Sequence, residues 1–304
     1  MIYPLVDALK KAYPVTQVCD TLSVQKSSYY YWQAHREPPI ARQHLQVRVK
    51  AIHAQVSQTY GSRRMSDALK ADGLDVGRHQ AGALMREVGA VAVRPRKRHV
   101  YPDAGTVSRI APNHLNREFD AAQPNQKWVG DITYLWTVTG WMYLAVVLDL
   151  FSRKIVGWQL SDTPDTVLVL TALHQAALLR QITGTSGVLF HSDQGCQYTS
   201  HAYQDRLTAL GIKARSFTAS CLPRHLHVPV RRMSRRGNCW DNAVMERFFR
   251  SLKVESISRY RHQSQDELAW AVKKYIHFYN TQRIHSAIGS MSPTQYEQQF
   301  LKAA

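Results

Sequence analysis

The chain has 304 residues, is 44% hydrophobic, and carries 39 Lys/Arg against 22 Asp/Glu, which gives a formal net charge of +17 at pH 7. This length and apolar content predict a folded protein of two or three domains, and no apolar run reaches the ~18 residues that a membrane span requires. The strong positive charge favours a polyanionic partner, most simply nucleic acid.

The positive charge is confined to the two ends of the chain. Residues 1–120 hold 18 Lys/Arg against 10 Asp/Glu and residues 215–304 hold 15 against 6, whereas residues 121–214 hold 6 of each. Two basic arms therefore flank a neutral middle. The cysteines are scattered without a C-x-x-C pair, which argues against a zinc site or a disulfide scaffold and indicates a reducing, cytoplasmic setting; they are Cys19, Cys196, Cys221 and Cys239.

Residues 1–40 predict two short helices around a break at 22–24. The first is PVTQVCDTL and the second runs from Gln25 to His35, before Pro38-Pro39 ends the unit. This pattern suits a helix-turn-helix as well as it suits a plain helical hairpin.

Residues 41–92 predict a module of three helices. The first, from His44 to Gln58, is expected to turn an apolar face inward. The second begins after Tyr60-Gly61, and the third follows Val76-Gly77. Basic residues at helix starts suit the major groove of DNA, although a purely structural bundle remains an alternative. The residues concerned are Leu45, Val47, Val49, Ile52 and Val56 for the inward face, and Arg63, Arg64 and Arg78 for DNA.

Residues 93–122 predict a basic linker with two prolines, Pro95 and Pro102. Its cations are expected to follow DNA phosphates as an extended arm, or else to form a solvated run of charge. They are Arg94, Arg96, Lys97 and Arg98.

Residues 123–262 predict a different kind of domain, because the hydrophobic period changes at Gln126. KWVGDITYLWTV alternates as a strand does, and WMYLAVVLDLFS and RKIVGWQL follow as two further strands. The order β-β-β-α-β-α-β-α indicates an α/β fold of ribonuclease H type. We expect a mixed five-stranded sheet, with three antiparallel strands and then parallel ones, flanked by helices and preceded by the all-α modules.

Three carboxylates are expected to meet at one edge of this sheet. Asp131 lies inside the first strand, Asp193 follows the short strand GVLF, and Glu246 lies on the helix that begins near Asn242. A carboxylate inside a strand is costly unless it is paired or binds a metal, and loops beyond strand ends are where α/β proteins build sites. A site with oxygen ligands alone suits Mg²⁺ or Mn²⁺, and a pair of such ions suits phosphodiester chemistry.

Basic residues surround the third carboxylate. Lys253 and Arg250 share the helix side of Glu246, and Arg235 and Arg236 lie in the glycine-containing turn before the helix. Lys253 is expected to hold a DNA phosphate. The tail, residues 263–304, predicts one helix from Asp266 to Tyr279, followed by a turn in which Arg283 and His285 are further candidates for DNA contact, or else parts of a capped surface turn.

Four segments together resemble the DDE transposases of the insertion sequence three family, specifically the product of the second reading frame. They are WVGDITYL, FHSDQGCQYTS, SRRGNCWDNAVMERFFRSLK and YNTQRIHSAIGSMSP, and TYGSRRMSDAL and LMREVGAVAVRPRKR resemble the helix-turn-helix segment of that family. The resemblance covers nearly the whole chain. It implies that Asp131, Asp193 and Glu246 bind two Mg²⁺ or Mn²⁺ ions, with Lys253 as a companion. It also implies cleavage of DNA with water and strand transfer from a 3′-hydroxyl, in a bacterial, nucleoid-associated enzyme.

The resemblance also implies partners for the chain. They are the terminal inverted repeats of the element, target DNA, further copies of the chain on DNA, and the upstream-frame product or its frameshift fusion. No leucine-zipper heptad run of the kind found in the upstream-frame part occurs here, so end recognition and multimer assembly are expected to need that part.

The chain departs from the family pattern in one place. Asp193 and Glu246 are 53 residues apart, more than the family spacing, and the surplus lies in an extra loop at 214–231. This loop is basic, with Arg215, Arg224 and Arg231, and contains no acids. It fits a DNA-contacting insertion, and it fits a decayed copy of the enzyme equally well. The alternatives to a transposase are a catalytically inactive DNA-binding regulator and a ribonuclease H-like nuclease without strand transfer.

Overall fold

The structure is a computed structural model that describes residues 2–35, 40–93, 121–184, 186–192, 195–215 and 243–303. In this part of the chain, two groups of three helices precede the sheet. They are α1 (Ile2–Leu9), α2 (Val15–Thr21), α3 (Lys26–His35), α4 (Ile40–Gln55), α5 (Ser62–Ala71) and α6 (Arg78–Glu87).

The N-terminal group contains one helix that the sequence did not reveal, α1. The other two confirm the expected pair, and Ser23 breaks the chain between them with a φ of 54°, in the left-handed region. The three helices close around the fully buried Tyr29, whose hydroxyl donates to Asp7 at 2.9 Å.

The second group confirms the three expected helices and has its own hydrophobic core. Val49, Ile52 and Val56 of the first segment are buried in it. The prediction for Val47 was wrong, because its side chain is 63% exposed. Positions 45, 49, 52 and 56 recur every three or four residues along one helix face, whereas residue 47 lies about 200° around the axis from residue 49.

The sheet has five strands in the order β3-β2-β1-β4-β5. β1 and β2 pair antiparallel, as do β2 and β3, while β4 is parallel to both β1 and β5. This is the expected ribonuclease H-like arrangement of three antiparallel strands followed by parallel ones. The strands are β1 (Lys127–Thr137), β2 (Gly140–Asp149), β3 (Ile155–Ser161), β4 (Leu189–Ser192) and β5 (Lys213–Arg215).

Helices cover both faces of the sheet. α7 and α8 pack on one face and share a core with Trp128 and Phe190. α9 and α10 pack on the other face and share a core with Val129 and Leu135. The helices are α7 (Thr166–Leu179), α8 (His201–Ala209), α9 (Ala243–Glu255), α10 (Gln265–Thr281) and α11 (Pro293–Ala303), with short 3₁₀ turns at Ile257–Arg259 and Ser286–Ile288.

The segment expected as a separate tail packs on this core. α10 contributes Leu268, Val272 and Ile276 to the core that α9 shares with the sheet. The sequence reasoning missed α11, which carries the buried Glu297. In the described part of the chain, no helix combines the length and apolar content that a membrane crossing needs.

Glu297 belongs to a buried ion cluster at the end of β2. Arg180 contacts both Glu297 and Asp149, and Lys154 lies 2.8 Å from Glu297. Burial opposes the ionisation of Glu297, but the hydrogen bonds from Arg180, Lys154 and Ser152 hold its pKa below the usual value. Burial raises the pKa of Asp149, although the hydrogen bonds that it accepts from backbone N–H groups act in the opposite direction. The cluster joins α7 and α11 to the sheet.

Candidate functional site

Asp131 lies in the middle of β1, opposite Val146 of β2. The side chain is half-buried, and its Oδ1 accepts a hydrogen bond from the backbone N–H of Ile132 at 2.8 Å. Side chains alternate along a strand, so Asp131 shares a sheet face with Val129 and Leu135. Those two residues belong to the core that includes α9. The carboxylate of Asp131 is therefore on the face of the sheet that α9 covers.

The carboxyl end of β4 lies beside Asp131. In the parallel register of β1 and β4, Gly130 is opposite Ser192. Asp193 is the next residue after Ser192 and lies outside the described residues. The residue that precedes Asp193 in the sequence is thus paired with the residue that precedes Asp131.

α9 carries the third expected carboxylate. Its buried side consists of Met245, Phe248, Phe249 and Leu252, and the helix contacts β1. Glu246 lies in the first turn with its side chain exposed, and Lys253 lies two turns later, half-buried. The helix packs through its apolar side, which leaves the side chain of Glu246 accessible to solvent.

The donors that this site offers are carboxylate oxygens. This chemistry fits a hard divalent cation such as Mg²⁺ or Mn²⁺. Among the residues that the structure describes, no three His, Cys, Asp or Glu side chains form a metal-binding group, and Asp193 is not among those residues. The two described cysteines are the buried Cys19 and the exposed Cys196, neither in a disulfide.

The residues expected to contact DNA have different surroundings. Arg63 and Arg78 are exposed at the starts of α5 and α6, and Arg250 is exposed on α9. Six of the expected cations lie outside the described residues, namely Arg94, Arg96, Lys97, Arg98, Arg235 and Arg236. The 216–242 segment, with most of the extra loop, also lies outside them.

Arg283 does not fit the expected contact with DNA phosphate. Its side chain is only 4% exposed, and its guanidinium makes two hydrogen bonds to the carboxylate of Glu255, at 2.7 and 2.8 Å, with a third to Ser251. Burial acts to lower the pKa of Arg283, but the hydrogen bonds to Glu255 outweigh it and raise the pKa. An arginine that is buried and already paired with a carboxylate is not accessible to a DNA phosphate.

His285 does not fit the expected contact with DNA either. Its ring lies against Tyr279 with the centroids 4.5 Å apart. Burial and the nearby guanidiniums of Arg283 and Arg64 lower the pKa of His285 to about 3. The imidazole is therefore neutral at physiological pH and provides no cation for a phosphate.

Arg64 is partly buried and contacts residues of the protein itself. Its Nη1 lies 3.5 Å from Oε1 of Glu255, and its guanidinium lies over the ring of Tyr60 at 5.8 Å. Sequence reasoning did not single out Glu255 or Tyr60. No local pattern marks them, since their partners are distant in sequence.

Comparisons with known protein families match most of the chain. Residues 121–219 match a family model described as "Integrase core domain", and residues 246–301 match a second model of the same description. Residues 41–98 match a family model described as "HTH-like domain". The first two ranges include Asp131, Asp193 and Glu246, and the third covers α4, α5 and α6.

Individual relatives cover nearly the full length of the chain. "Transposase InsF for insertion sequence IS3A" of Escherichia coli (strain K12) is 34% identical over 303 residues, which is 98% of this chain and 98% of that protein. "Insertion element IS600 uncharacterized 31 kDa protein" of Shigella sonnei is 34% identical over 291 residues, covering 94% of this chain and 100% of the relative.

Among solved structures, the catalytic core domain of HTLV-2 integrase in complex with magnesium (dimeric form) is similar to this chain. It is 18% identical, with a TM-score of 0.41, over 58% of this chain and 98% of that one.

Proposed function

Because this chain belongs to the IS3 family of insertion-sequence transposases and is a DDE polynucleotidyl transferase, we propose that Asp131, Asp193 and Glu246 are its catalytic carboxylates. The observation that carries this proposal is the register of β1 and β4. Gly130 lies opposite Ser192, and an aspartate follows each of them in the sequence.

A hard divalent cation fits these donors, and we propose two Mg²⁺ or Mn²⁺ ions as cofactors. Asp131 and Asp193 would hold them from neighbouring strands, and Glu246 would complete the site from α9. When bound, the ions would activate an attacking oxygen and offset the charge that develops at the phosphorus.

The residues of the chain then have separate tasks. The three carboxylates would hold the cations beside the scissile phosphodiester, and β1 gives Asp131 a rigid backbone for this task. The ammonium of Lys253 is expected to bind a neighbouring DNA phosphate, since a cation two turns from Glu246 lies on the same side of α9. Water serves as nucleophile for cleavage, and the exposed 3′-hydroxyl of the DNA serves as nucleophile for strand transfer.

The DNA substrates follow from the family and from the basic residues. We propose that the terminal inverted repeats of the element are recognised by the module of α4, α5 and α6. The exposed Arg63 and Arg78 would contact the DNA there, and Arg250 would contact it near the site. The cations at 94–98 and at 235–236 extend this set and would follow the phosphate backbone.

Assembly on DNA is also part of the proposal. Both element ends must be held together for transposition, so we propose a homo-oligomer on DNA that works at the bacterial nucleoid. The upstream-frame product, or its frameshift fusion with this chain, would add the zipper that assembly requires. The extra loop at 214–231 would add basic contacts to DNA.

The test is cleavage and joining of a labelled element end by the purified chain, or by its fusion with the upstream frame, in Mn²⁺. Asp131→Asn, Asp193→Asn and Glu246→Gln should each abolish nicking and joining while leaving DNA binding intact. Asp266→Asn, which removes an exposed acid from the first turn of α10, is the matched control and should keep both activities.

Three outcomes would contradict this proposal. Nicking and joining that survive the three substitutions would remove the carboxylates from the reaction. DNA binding without any metal-dependent reaction by the wild-type chain or its fusion would favour a regulator or a decayed copy. Nicks without longer, joined products would instead indicate a nuclease.

A further inference from the structure

Several hydrogen bonds connect the three-helix module of α4, α5 and α6 to residues 259–290 in the C-terminal part of the chain. Among the residues of the module that make these bonds, Tyr60, which precedes α5, is the most buried, with only 2% of its surface exposed. Its hydroxyl donates to the backbone carbonyl of Gln282 and accepts from the backbone N–H of Ile284, both at 3.0 Å. One side chain thus satisfies two backbone groups across the contact.

Further hydrogen bonds cross the same boundary. The guanidinium of Arg259 donates to the backbone carbonyl of Ser57 at 2.6 Å and to the side chain of Gln58 at 3.2 Å. The hydroxyl of Ser290 donates to Asp67 of α5 at 2.8 Å. Phe278 and Ile284 pack against the hydrophobic core of the module. The module is therefore docked through apolar and polar contacts together.

Glu255, the last residue of α9, is the charged centre of this docking surface. Its carboxylate binds Arg283 in two hydrogen bonds, accepts from the hydroxyl of Tyr275 at 2.9 Å, and lies 3.5 Å from Arg64 of the module. The side chain of Glu255 is 10% exposed, so these charges are poorly screened by water. Two guanidiniums converge on one carboxylate, and the acid holds together cations that would otherwise repel.

The same helix carries the proposed catalytic Glu246. Glu255 follows Glu246 by nine positions, which is about 14 Å along the axis of an α-helix. A rigid helix transmits a displacement at one end to the other. Catalytic groups must be held within about 0.5 Å of their productive positions. A contact at Glu255 therefore bears on the position of Glu246 relative to the module.

We infer that Tyr60, Arg64 and Glu255 are positioning residues that lock the three-helix module to the catalytic helix, so that the protein sets the distance between the DNA sequence it reads and the phosphodiester it cuts. This inference rests on the proposed function, because it takes the module as the DNA reader and Glu246 as catalytic. It assigns Arg64, which we expected to contact DNA, to the contact between module and helix.

The docking of the module would determine which phosphodiester is cut. Neighbouring phosphodiesters of one strand are about 3.4 Å apart along a duplex. Loosening the module by that distance moves the cut by one nucleotide. A positioning role predicts cuts that spread to adjacent nucleotides, whereas a general loss of stability predicts fewer cuts at the same nucleotide.

The experiment compares Tyr60→Phe and Arg64→Ala with two matched controls in the full chain, or in its fusion with the upstream frame if that is the active form. Tyr13→Phe removes the hydroxyl of an exposed tyrosine, and Arg42→Ala breaks the ion pair with Glu87 inside the module. The probe is a 5′-labelled duplex of the terminal inverted repeat that flanks the coding sequence, with Mn²⁺, and cuts are mapped at single-nucleotide resolution. Hydrogen exchange of residues 282–290 without DNA reports on docking independently of activity.

Tyr60→Phe and Arg64→Ala should bind the repeat as tightly as wild type and shift part of the cuts by one or more nucleotides. Both should speed exchange of residues 282–290, Tyr60→Phe by about fivefold or more, since about 1 kcal/mol is lost with each of its two hydrogen bonds. The controls should match wild type in all three measurements. An unchanged cut position, with or without faster exchange, would overturn the positioning role while leaving the proposed function intact. A wild-type protein that binds the repeat without cutting it would contradict the proposed function and this role with it.

Discussion

Gly130 of β1 lies opposite Ser192 of β4. Each of these two residues is followed in the sequence by one of the proposed catalytic aspartates. The absence of a side chain at Gly130 is required by the packing beneath it. A Cβ there would lie 2.5 Å from Cζ of Phe190, and the ring of Phe190 is buried between β4 and α8. Because of this close approach, a shift of Phe190 or of β4 would also move the backbone of β1 next to Asp131.

Gly130→Ala is expected to disturb the site by forcing Phe190 or the strand to shift. Overpacking of this kind costs about 1–3 kcal/mol, and nicking should fall further than the loss of folded protein explains. Thermal melting and a nicking assay on the same sample measure the two effects. The matched control is Gly82→Ala on α6, where the added Cβ would make ordinary contact with Ser62 and should be neutral or stabilising. A nicking rate that tracks the folded fraction would contradict the role of Gly130 at the site.

Lys253→Ala is expected to slow cleavage by about 10-fold or more, the factor for one hydrogen bond to a charged group. The slope of log affinity against log salt should also fall by about 0.9, the value for one phosphate contact. Lys274→Ala on α10 removes another lysine, one that is exposed, and serves as control. Equal effects of the two substitutions would show that Lys253 acts only through general charge.

Arg63→Ala and Arg78→Ala are each expected to weaken binding of the terminal repeat. If each side chain contacts one phosphate, the salt slope of binding should fall by about 0.9 per substitution. Fluorescence anisotropy over a salt series measures both the affinity and the slope. Lys302→Ala at the end of α11 is the control, and an unchanged slope in both arginine variants would exclude them from the DNA surface.

Stability is expected to depend on the protonation of His285 in mildly acidic solution. Its pKa is about 3 in the folded protein and ~6.5 in an unfolded chain, so the unfolded state binds the extra proton. Stability should therefore be unaffected above pH 6.5 and fall as pH drops from 6.5 toward 3, by at most about 1.4 kcal/mol per pH unit. Urea unfolding of wild type and His285→Gln over this range isolates the contribution. Parallel curves for the two proteins would contradict it.

Arg180→Ala is expected to destabilise the fold by about 3–5 kcal/mol, because it leaves the buried Asp149 without its cation and Glu297 with Lys154 alone. Asp149 is fully buried and Glu297 is 7% exposed, so water cannot replace the guanidinium. Denaturant unfolding measures the loss. Arg206→Ala removes an exposed arginine of α8 and should change stability by less than about 0.5 kcal/mol. A similar loss in both variants would exclude the ion cluster as the cause.

The sheet and most helices could be predicted from the sequence because their signals are local. The alternating run around Asp131 predicts β1, and residues with suitable side chains cap the helices, as Asp165 does for α7 and Ser200 for α8. These features depend on residues within a few positions of one another. The mixed order of strands followed because short turns and intervening helices allow few topologies.

Side-chain surroundings that depend on distant residues could not be predicted in the same way. Arg283 looked like a surface cation because it follows a helix and lies near polar residues. Its partner Glu255 precedes it by 28 residues, and only the packing of α10 against α9 brings the two together. Tyr60 is 222 residues from Gln282, and the Glu255 that Arg64 contacts is also far along the chain. The docking of the module therefore had no local signal.

The ion cluster at the end of β2 has a consequence for the biosynthesis of the protein. Glu297 follows Arg180 by 117 residues, so the ribosome makes the central strands long before it makes the acid that completes their charge balance. Until α11 leaves the exit tunnel, the nascent core must keep Arg180 and Asp149 hydrated or incompletely paired. The full charge balance of the cluster is thereby postponed until α11 has been made and can dock.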